Sequence, residues 1–248
     1  MICINYIRMF LYVLRKCNVI KTIYINFKML PLKKAVHIPI FVYGKTIFRS
    51  LSGSLEIKGE IYAGMIKIGK NDYYVKTAIP LTNWILNGKL IFNGPFKFLN
   101  GGYLCLSRRG CLEFGENGFI GTDYKIICFE SIKIGNQLEA TWNVSMYDTS
   151  FHYIHLKGSG INKLTKPIEI GNQVWIGNNS TLVKGCRIPD MSIIANMSFV
   201  NKDFTNYCNG LLIAGIPAVV KKEGAKRIFN YEFERKLDEK YKYDRTHL

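Results

Sequence analysis

A six-residue repeat constrains the fold of this chain more than any other feature of its sequence. From residue 170 a branched aliphatic residue returns at every sixth position, and a small or medium residue follows each of the first five after four positions. The aliphatic positions are Ile170, Ile176, Leu182, Ile188, Ile194 and Val200, and the second set is Val174, Ser180, Cys186, Ser192 and Ser198. The same phase begins upstream at Ile134, in the run IGNQLEATWNVSM.

The period of six indicates a triangular coil. A helix face recurs every 3.6 residues and a half-buried strand face every 2, so neither explains it. If each side of a triangle takes six residues, the aliphatic residues stack inside, and each turn buries its faces against its neighbours. Glycine and asparagine after the aliphatic residues suit corners with unusual backbone angles. The sequence therefore predicts an all-β fold, a left-handed parallel β-helix of hexapeptide repeats with short N- and C-terminal helical extensions. The coils are expected to be regular over residues 128–203 and less regular from about residue 50 to 127.

Three segments follow from this pattern. Residues 1–49 form a basic N-terminal segment, residues 50–220 the β-helix, and residues 221–248 a helical tail. An aromatic-rich stripe recurs along the tail at every fourth position, which indicates a packing face: Phe229, Phe233, Leu237 and Tyr241. Residues 151–167 interrupt the repeat with glycines and lysines, and a long excursion from a compact solenoid is typical of a functional loop.

The charge is unevenly distributed. The net charge is +16, and residues 1–50 contain nine Lys or Arg and no acid. This segment is either a solvated basic face or a contact for an anionic partner such as membrane headgroups or a charged glycan lipid. The apolar start of the chain is too short and too interrupted to span a bilayer, and it lacks the cleavage site of a signal peptide. A helix on a membrane surface and a helix packed on the protein's own body both remain open.

Partners and compartment are constrained only broadly. No nucleic-acid reader motif is present, so no nucleic-acid partner is predicted. Seven cysteines without a CxxC pair indicate reduced thiols and a cytoplasmic location, with the basic segment allowing the inner face of the membrane.

The repeat segments resemble a known family. The runs IEIGNQVWIGNNSTLVKGCRI, SIIANMSFVNKD and LLIAGIPAVVKK are similar to the hexapeptide-repeat acyltransferases, and SIKIGNQLEATWNVSMYDTSFHYI is similar to their active-site coil. The resemblance is strongest to galactoside and maltose O-acetyltransferases and to acetyltransferases of capsule and O-antigen gene clusters. It implies a homotrimer with active sites between subunits, and acetyl-CoA as donor. It further implies O-acetylation of a sugar hydroxyl on a cell-surface polysaccharide or its precursor.

The chemistry of that reaction requires a base. A sugar hydroxyl must lose its proton as it attacks, and histidine suits this near pH 7. The resemblance places His152 as the base, with Asp148 either orienting it, as a carboxylate does in a triad, or serving as a corner residue. His155 is expected to be a loop residue that touches the acceptor. Asp123 stands where the galactoside and maltose enzymes have an acceptor-lining asparagine, so it either binds acceptor hydroxyls or forms a corner.

The resemblance also implies a donor site. It places Trp175, Asn178, Ala195 and Asn196 along the pantetheine path and Gly177 near the oxyanion donor. Asn201 and Lys202 would lie near the nucleotide, with Lys202, Lys221 and Lys222 facing the CoA phosphates as cations. Corner positions of any solenoid look the same whether or not a cofactor lies beside them, so a structural role remains open for each.

Three alternatives to a sugar O-acetyltransferase are compatible with a β-helix of this kind. An N-acetyltransferase on an amino sugar differs only in the acceptor. A non-catalytic β-helix would bind glycan or membrane through the basic N-terminus. A zinc enzyme of the same fold needs three histidine ligands, and only His152 and His155 are near the coils, so no metal is expected.

Overall fold

The computed structural model describes residues 17–71, 80–158 and 160–243. The predicted membrane-contacting start of the chain and His247 lie outside these residues.

The chain forms successive coils of three strands. The first coil consists of β1 (Ile40–Val42), β2 (Thr46–Leu51) and β3 (Ser54–Ile57), and the second of β4 (Ile66–Lys70), β5 (Thr82–Leu86) and β6 (Lys89–Phe92). The third coil consists of β7 (Phe96–Leu99), β8 (Tyr103–Leu106) and β9 (Cys111–Phe114). The next two are β10 (Gly118–Ile120), β11 (Lys125–Cys128), β12 (Ser131–Ile134); and β13 (Glu139–Ala140), β14 (Ser145–Tyr147), β17 (Ile168–Ile170). Between β14 and β17 the excursion forms a hairpin of β15 (Ile154–Leu156) and β16 (Gly160–Asn162).

The last coils are β18 (Trp175–Ile176), β19 (Thr181–Val183), β20 (Arg187–Ile188), and then β21 (Ile193–Ile194) and β22 (Phe199–Val200). The chain leaves the solenoid through an antiparallel pair, β23 (Leu211–Gly215) and β24 (Ala218–Glu223). The strands stack in parallel into three sheets, which we call the first, second and third faces after the order of strands in each coil. We call the turn between the first and second faces the first corner, and the turn between the second and third faces the second corner. The predicted left-handed parallel β-helix is confirmed.

The interior follows the repeat where the repeat is regular. All six aliphatic positions from Ile170 to Val200 are buried, and so are the five smaller residues between them. Equivalent residues of neighbouring coils pair directly, as Ile176 does with Ile194, eighteen positions later. The six-residue period is therefore the spacing of one side of the coil.

The upstream coils are larger and have an aromatic interior. Phe98 pairs with Ile120, which is 22 positions later, so this coil is longer than the regular ones. The extra space is filled by rings: Trp84 packs edge-on against Phe98 at 5.0 Å between centroids, and Phe92 stacks on Phe114 at 5.4 Å. The indole N–H of Trp84 donates to the buried Tyr124 hydroxyl at 2.8 Å, which satisfies both polar groups inside an apolar core.

The corners use glycine and asparagine differently from the prediction. The left-handed residue is the third after the aliphatic, as in Gln173 and Asn179, whose φ angles are 55° and 59°. Gly177, directly after Ile176, is needed for space, since a Cβ there would lie 2.3 Å from Asn196 Oδ1 of the next coil. The next coil therefore leaves no room for a side chain at this position.

Helices cover the start of the solenoid. It begins at Ile40, ten residues before the predicted start, because α1 (Val19–Met29) covers the free edge of β1. Asn26 donates to the Ile40 carbonyl and accepts from its N–H, and Thr22 Oγ1 accepts from Val42 N–H. These side chains replace a missing neighbouring strand.

Two further helices flank the coils. A short α2 (Leu32–Ala35) follows α1, and α3 (Tyr231–Tyr241) forms the C-terminal helix. Within the described ranges no helix is long and apolar enough to cross a membrane.

Candidate active site

His152 lies on a firmly held turn at the second corner, where the excursion leaves the fifth coil. Its backbone N–H donates to the Ser150 carbonyl at 2.7 Å, and Ser150 Oγ donates to the His152 carbonyl at 3.0 Å. The imidazole is exposed and makes no hydrogen bond or ion pair with any other described residue. The structure thus holds the backbone in place and leaves the ring available.

Aromatic packing holds the same turn. Phe151 adopts φ 60°, a left-handed conformation that is strained for a bulky residue and typical of functional sites. Its ring packs against Phe129 at 6.0 Å and Tyr147 at 6.2 Å between centroids. These contacts come from two neighbouring coils, so they fix the position of the turn relative to the solenoid.

A half-buried cation joins the two ends of the excursion. Lys184 Nζ donates to Ser150 Oγ at 3.0 Å and to the Leu164 carbonyl at 3.3 Å, and it also donates to the Lys163 carbonyl. A backbone bridge between Thr149 and Thr165 closes the base of the hairpin. His152 therefore sits on a closed loop rather than on a free tail.

Asp148 does not contact His152. It is fully buried, and its carboxylate accepts from the backbone N–H groups of Phe129 at 2.8 Å, Glu130 at 2.7 Å and Ser131 at 2.9 Å. Burial raises its pKa, and these three amide donors oppose that effect. Of the two roles left open for Asp148, this geometry favours the corner role, because both oxygens accept from the backbone amides that close the turn between β11 and β12.

The hairpin forms one wall of a large cavity at the second corner. The cavity has a volume of about 910 Å³ and lies beneath the base of the hairpin. Its polar lining includes Arg109, Lys163 and Lys166, the pair Glu130 and Glu169, Arg187 and Tyr153. Arg187 is already paired with Glu169 at 2.7 Å and Asp203 at 3.5 Å. His155, by contrast, lies on β15, where the side chains are exposed and it pairs with Ile161.

The predicted donor-site residues fall into separate places. Gly177, Asn178, Ala195 and Asn196 lie together at the first corner in two stacked coils, where Asn178 N–H donates to Asn196 Oδ1 at 2.9 Å. Asn178 Oδ1 is buried and has no hydrogen-bond partner among the described residues.

Asp123 also lies at the first corner, one face away from His152. Its φ of 59° places it in the left-handed corner position, the one that Asn179 occupies two coils later. Its half-exposed side chain lies against Gly101 of the preceding coil, where an added Cβ would meet Oδ1 at 2.2 Å. The corner interpretation of Asp123 explains its conformation without any substrate.

The remaining predicted residues lie elsewhere. Asn201 and Lys202 follow β22 at the second corner, and Lys222 lies exposed on β24. Trp175 lies on the outside of the first face and lines a cavity of about 610 Å³ with Leu237 and Tyr241 of α3. One chain therefore does not bring the predicted residues into a single site, and α3 covers the outer side of Trp175.

The C-terminal segment is attached to the first face by an ion pair. Arg227 lies 2.8 Å from Glu139 Oε2 and 3.7 Å from Glu234 Oε1. Burial raises the pKa of Glu139, and the Arg227 charge opposes this shift.

Sequence reasoning missed the residues that hold and line the second corner. These residues are far from His152 in sequence, and only the stacking of coils brings them to the second corner: Lys184, Phe129 and Arg109. The one available signal was the Arg108–Arg109 pair at a coil corner.

Comparisons with known proteins agree with the fold. No protein-family profile matches the chain. Galactoside O-acetyltransferase of Escherichia coli (strain K12) is 30% identical over 125 residues, a match that covers 50% of this chain and 59% of that enzyme. The chain thus spans less than two thirds of this relative.

One solved structure, NeuO, supports the same fold. The polySia-specific acetyltransferase NeuO superposes with a TM-score of 0.53 at 17% identity, covering 75% of this chain and 73% of NeuO. AntD, an N-acyltransferase from Bacillus cereus, superposes with a TM-score of 0.46 at 14% identity, covering 82% and 88%. The predicted resemblance to hexapeptide-repeat acetyltransferases is confirmed by the partial sequence match together with the shared fold.

Proposed function

We propose that this chain is an acetyl-CoA-dependent O-acetyltransferase that acts on a sugar hydroxyl of a cell-surface polysaccharide or its precursor. The observation that carries the proposal is the exposed, unpaired imidazole of His152 on a turn held by Lys184 and Phe151. The 30% identity to a galactoside O-acetyltransferase supports hydroxyl rather than amine as the acceptor group.

His152 would act as general base. As the acceptor oxygen attacks the thioester carbonyl carbon, the imidazole takes the hydroxyl proton. The tetrahedral intermediate then expels the CoA thiolate, which receives that proton from the imidazolium. Asp148 has no part in this step, since its carboxylate is occupied by backbone amides.

The first corner fits the donor. Asn178 lies next to Gly177 at this corner, stacked on Asn196 of the next coil, and the resemblance to the family places the pantetheine arm here. Lys202 and Lys222 are exposed cations of the kind that binds the phosphates of CoA.

The acceptor would enter the cavity beneath the hairpin. Arg109, Lys163 and Lys166 line it and, among the described residues, none of them forms an ion pair. This lining favours a glycan that carries negative charge, either in its repeat or in its lipid-linked phosphate. His155, exposed on β15, is placed to contact the more distant sugars.

A homotrimer would complete the site. His152 lies at the second corner and Asn178 at the first, so the base and the donor cleft of one chain face different directions. Cyclic symmetry can place the second corner of one subunit against the first corner of the next.

The activity is tested with the wild type, one test variant and one control variant. Purified wild type, His152→Ala and His37→Ala are titrated with acetyl-CoA by calorimetry, and thiol release is followed with a panel of sugars and envelope glycan fragments. His37 is also exposed but lies beside α2 at the start of the solenoid. We expect all three proteins to bind acetyl-CoA and only His152→Ala to lose thiol release, by a factor of about 10²–10⁴.

Other outcomes would change the assignment. If none of the proteins binds acetyl-CoA, the donor is wrong and a non-catalytic glycan-binding β-helix becomes the better explanation. If only amino sugars in the panel release thiol, the reaction is N-acetylation. If His152→Ala retains full activity, another group is the base.

The shared site is tested by mixing subunits. His152→Ala and Asn178→Leu would each be inactive as pure oligomers, and co-refolded mixtures should regain part of the wild-type activity. No recovery in mixtures of confirmed trimers would place the base and the donor cleft in one chain.

A further inference from the structure

Helix α1 has two apolar faces on opposite sides. Its inner face consists of Thr22, Ile25, Asn26 and Met29, all buried against the first coil. Its outer face has the same i, i+3, i+4, i+7 spacing and consists of Ile20 (81% exposed), Ile23 (50%), Tyr24 (52%) and Phe27 (48%). The inner face already satisfies the solenoid edge, so the outer stripe is not needed to hold α1 in place.

Two neighbouring apolar residues extend this surface. Leu32 and Val36, in and just after α2, are 67% and 55% exposed. We call Ile20, Ile23, Tyr24, Phe27, Leu32 and Val36 the outer stripe. Contiguous exposed apolar side chains at one end of a molecule mark an interaction surface.

The segment that carries the outer stripe has charges of one sign. Residues 17–55 contain no acid. Lys21 and Lys34 each donate to a backbone carbonyl, of Thr46 and Ile57. Lys28 and Lys33 are exposed, and neither has an ion-pair partner among the residues described. The surface is therefore apolar with free cations beside it.

We propose that the outer stripe docks the protein on an anionic lipid bilayer surface. An interfacial helix of this type buries Ile, Phe and Tyr side chains at headgroup depth and leaves its lysines among anionic headgroups. Tyrosine suits this depth because its ring is apolar and its hydroxyl stays hydrated. The inference does not depend on the proposed enzymatic activity.

A second copy of the chain is a poorer occupant of the same surface. Two outer stripes packed face to face would bring Lys28 and Lys33 of both copies together. No acid in residues 17–55 is present to compensate them. The single sign of charge thus favours a partner that supplies many negative charges.

The test is vesicle flotation with the full-length protein. One set of vesicles contains phosphatidylcholine alone, and the other also contains phosphatidylglycerol. The wild type should float with the anionic vesicles, less with the neutral ones, and less as salt is raised. Ile20→Glu should lower the bound fraction by roughly tenfold or more, because an inserted apolar side chain becomes a charge repelled by the surface.

Matched controls separate this surface from general stickiness. Ile161→Glu changes an isoleucine that is 69% exposed on the hairpin, and its flotation should equal that of the wild type. Lys28→Gln with Lys33→Gln should remove the preference for anionic vesicles, whereas Lys236→Gln with Lys242→Gln on the C-terminal helix should not. Circular dichroism and acetyl-CoA titration of Ile20→Glu should match the wild type, since α1 keeps its inner face.

Several results would overturn the proposal. It fails if the wild type floats with neither vesicle type, or if Ile20→Glu binds as well as the wild type. It also fails if Ile161→Glu reduces binding equally. If Ile20→Glu lowers the oligomer mass by light scattering while no protein floats, the outer stripe is an interface between copies.

Discussion

Replacing Asp148 by alanine tests whether its carboxylate has a structural or a catalytic role. The side chain is fully buried and accepts three backbone N–H groups from consecutive residues, 129–131, on the preceding coil. Truncation leaves all three donors without an acceptor in a site that water reaches poorly. If Asp148 is structural, the variant should lose stability, and its folded fraction should keep the pH dependence of wild-type activity.

The expected loss follows from the three hydrogen bonds. An unsatisfied buried N–H costs about 1–3 kcal/mol. The lower end of this range applies, because burial raises the pKa of Asp148. The shift means that the cost of removing the carboxylate from water offsets part of the stabilisation by the three amides. Three donors at about 1 kcal/mol each give a loss of about 3 kcal/mol in the free energy of unfolding. For a chain of this size that corresponds to a fall of about 6–12 °C in the melting temperature.

The measurement is urea unfolding followed by circular dichroism, together with the pH profile of kcat. Asp148→Asn is the companion variant. Its amide keeps one accepting oxygen, but its NH₂ group replaces the other and would point a donor at backbone N–H groups that are themselves donors. A raised pKa means that the folded chain holds this proton more tightly, so the stability contribution of Asp148 should be largest below pH 3.8 and decline as pH rises through the folded pKa. The reasoning is refuted if Asp148→Asn unfolds like the wild type but shifts the pH profile of kcat, which would restore the orienting role toward His152.

Three further predictions concern other contacts. Lys184→Met removes the cation that joins the ends of the excursion, and kcat should fall about 100-fold with acetyl-CoA affinity unchanged in calorimetry; an unchanged kcat would mean that the turn holds itself. Arg227→Met leaves the half-buried Glu139 carboxylate without its partner, so urea unfolding at pH 7 should show a loss of about 2 kcal/mol, mostly recovered by adding Glu139→Gln. Because burial raises the pKa of Glu139, that loss should also diminish as pH falls through the folded pKa, and a loss independent of pH would contradict this account. Tyr124→Phe leaves the indole N–H of Trp84 unpaired in the core and should cost about 1–3 kcal/mol in the same assay, whereas a neutral result would imply that another acceptor replaces the hydroxyl.

The regular coils could be predicted because one rule governs each of their positions. From Ile134 onward every aliphatic of the six-residue phase is buried, since each occupies the same place on one side of a triangle. The upstream coils obey no fixed period. Phe98 and Ile120 are 22 residues apart, and the lumen between them is filled by rings of different sizes, so spacing alone could not reveal the pairing.

Polar side chains of α1 explain why the predicted start of the solenoid lies ten residues after the observed one. Asn26 of α1 hydrogen-bonds the backbone of Ile40, and Thr22 accepts from the Val42 N–H, so β1 can lie at the edge of the first coil. Buried Thr and Asn give no apolar signal in a sequence. The role of Asp148 was hidden for a related reason. Its partners lie seventeen or more residues earlier and become neighbours only when the coils stack.

The division of candidate residues between corners has a mechanistic consequence. A side of the coil has six residues, so at about 3.3 Å per residue the first and second corners are about 20 Å apart. No side chain of Asn178 or Asp123 spans that distance to His152 in the same chain. If the held imidazole and the donor cleft serve one reaction, they come from different copies, and the hairpin of each subunit forms a wall of its neighbour's site. Oligomerisation would then be a condition for activity rather than an addition to stability, and dilution below the dissociation constant of the oligomer should abolish transfer while the separated subunits stay folded.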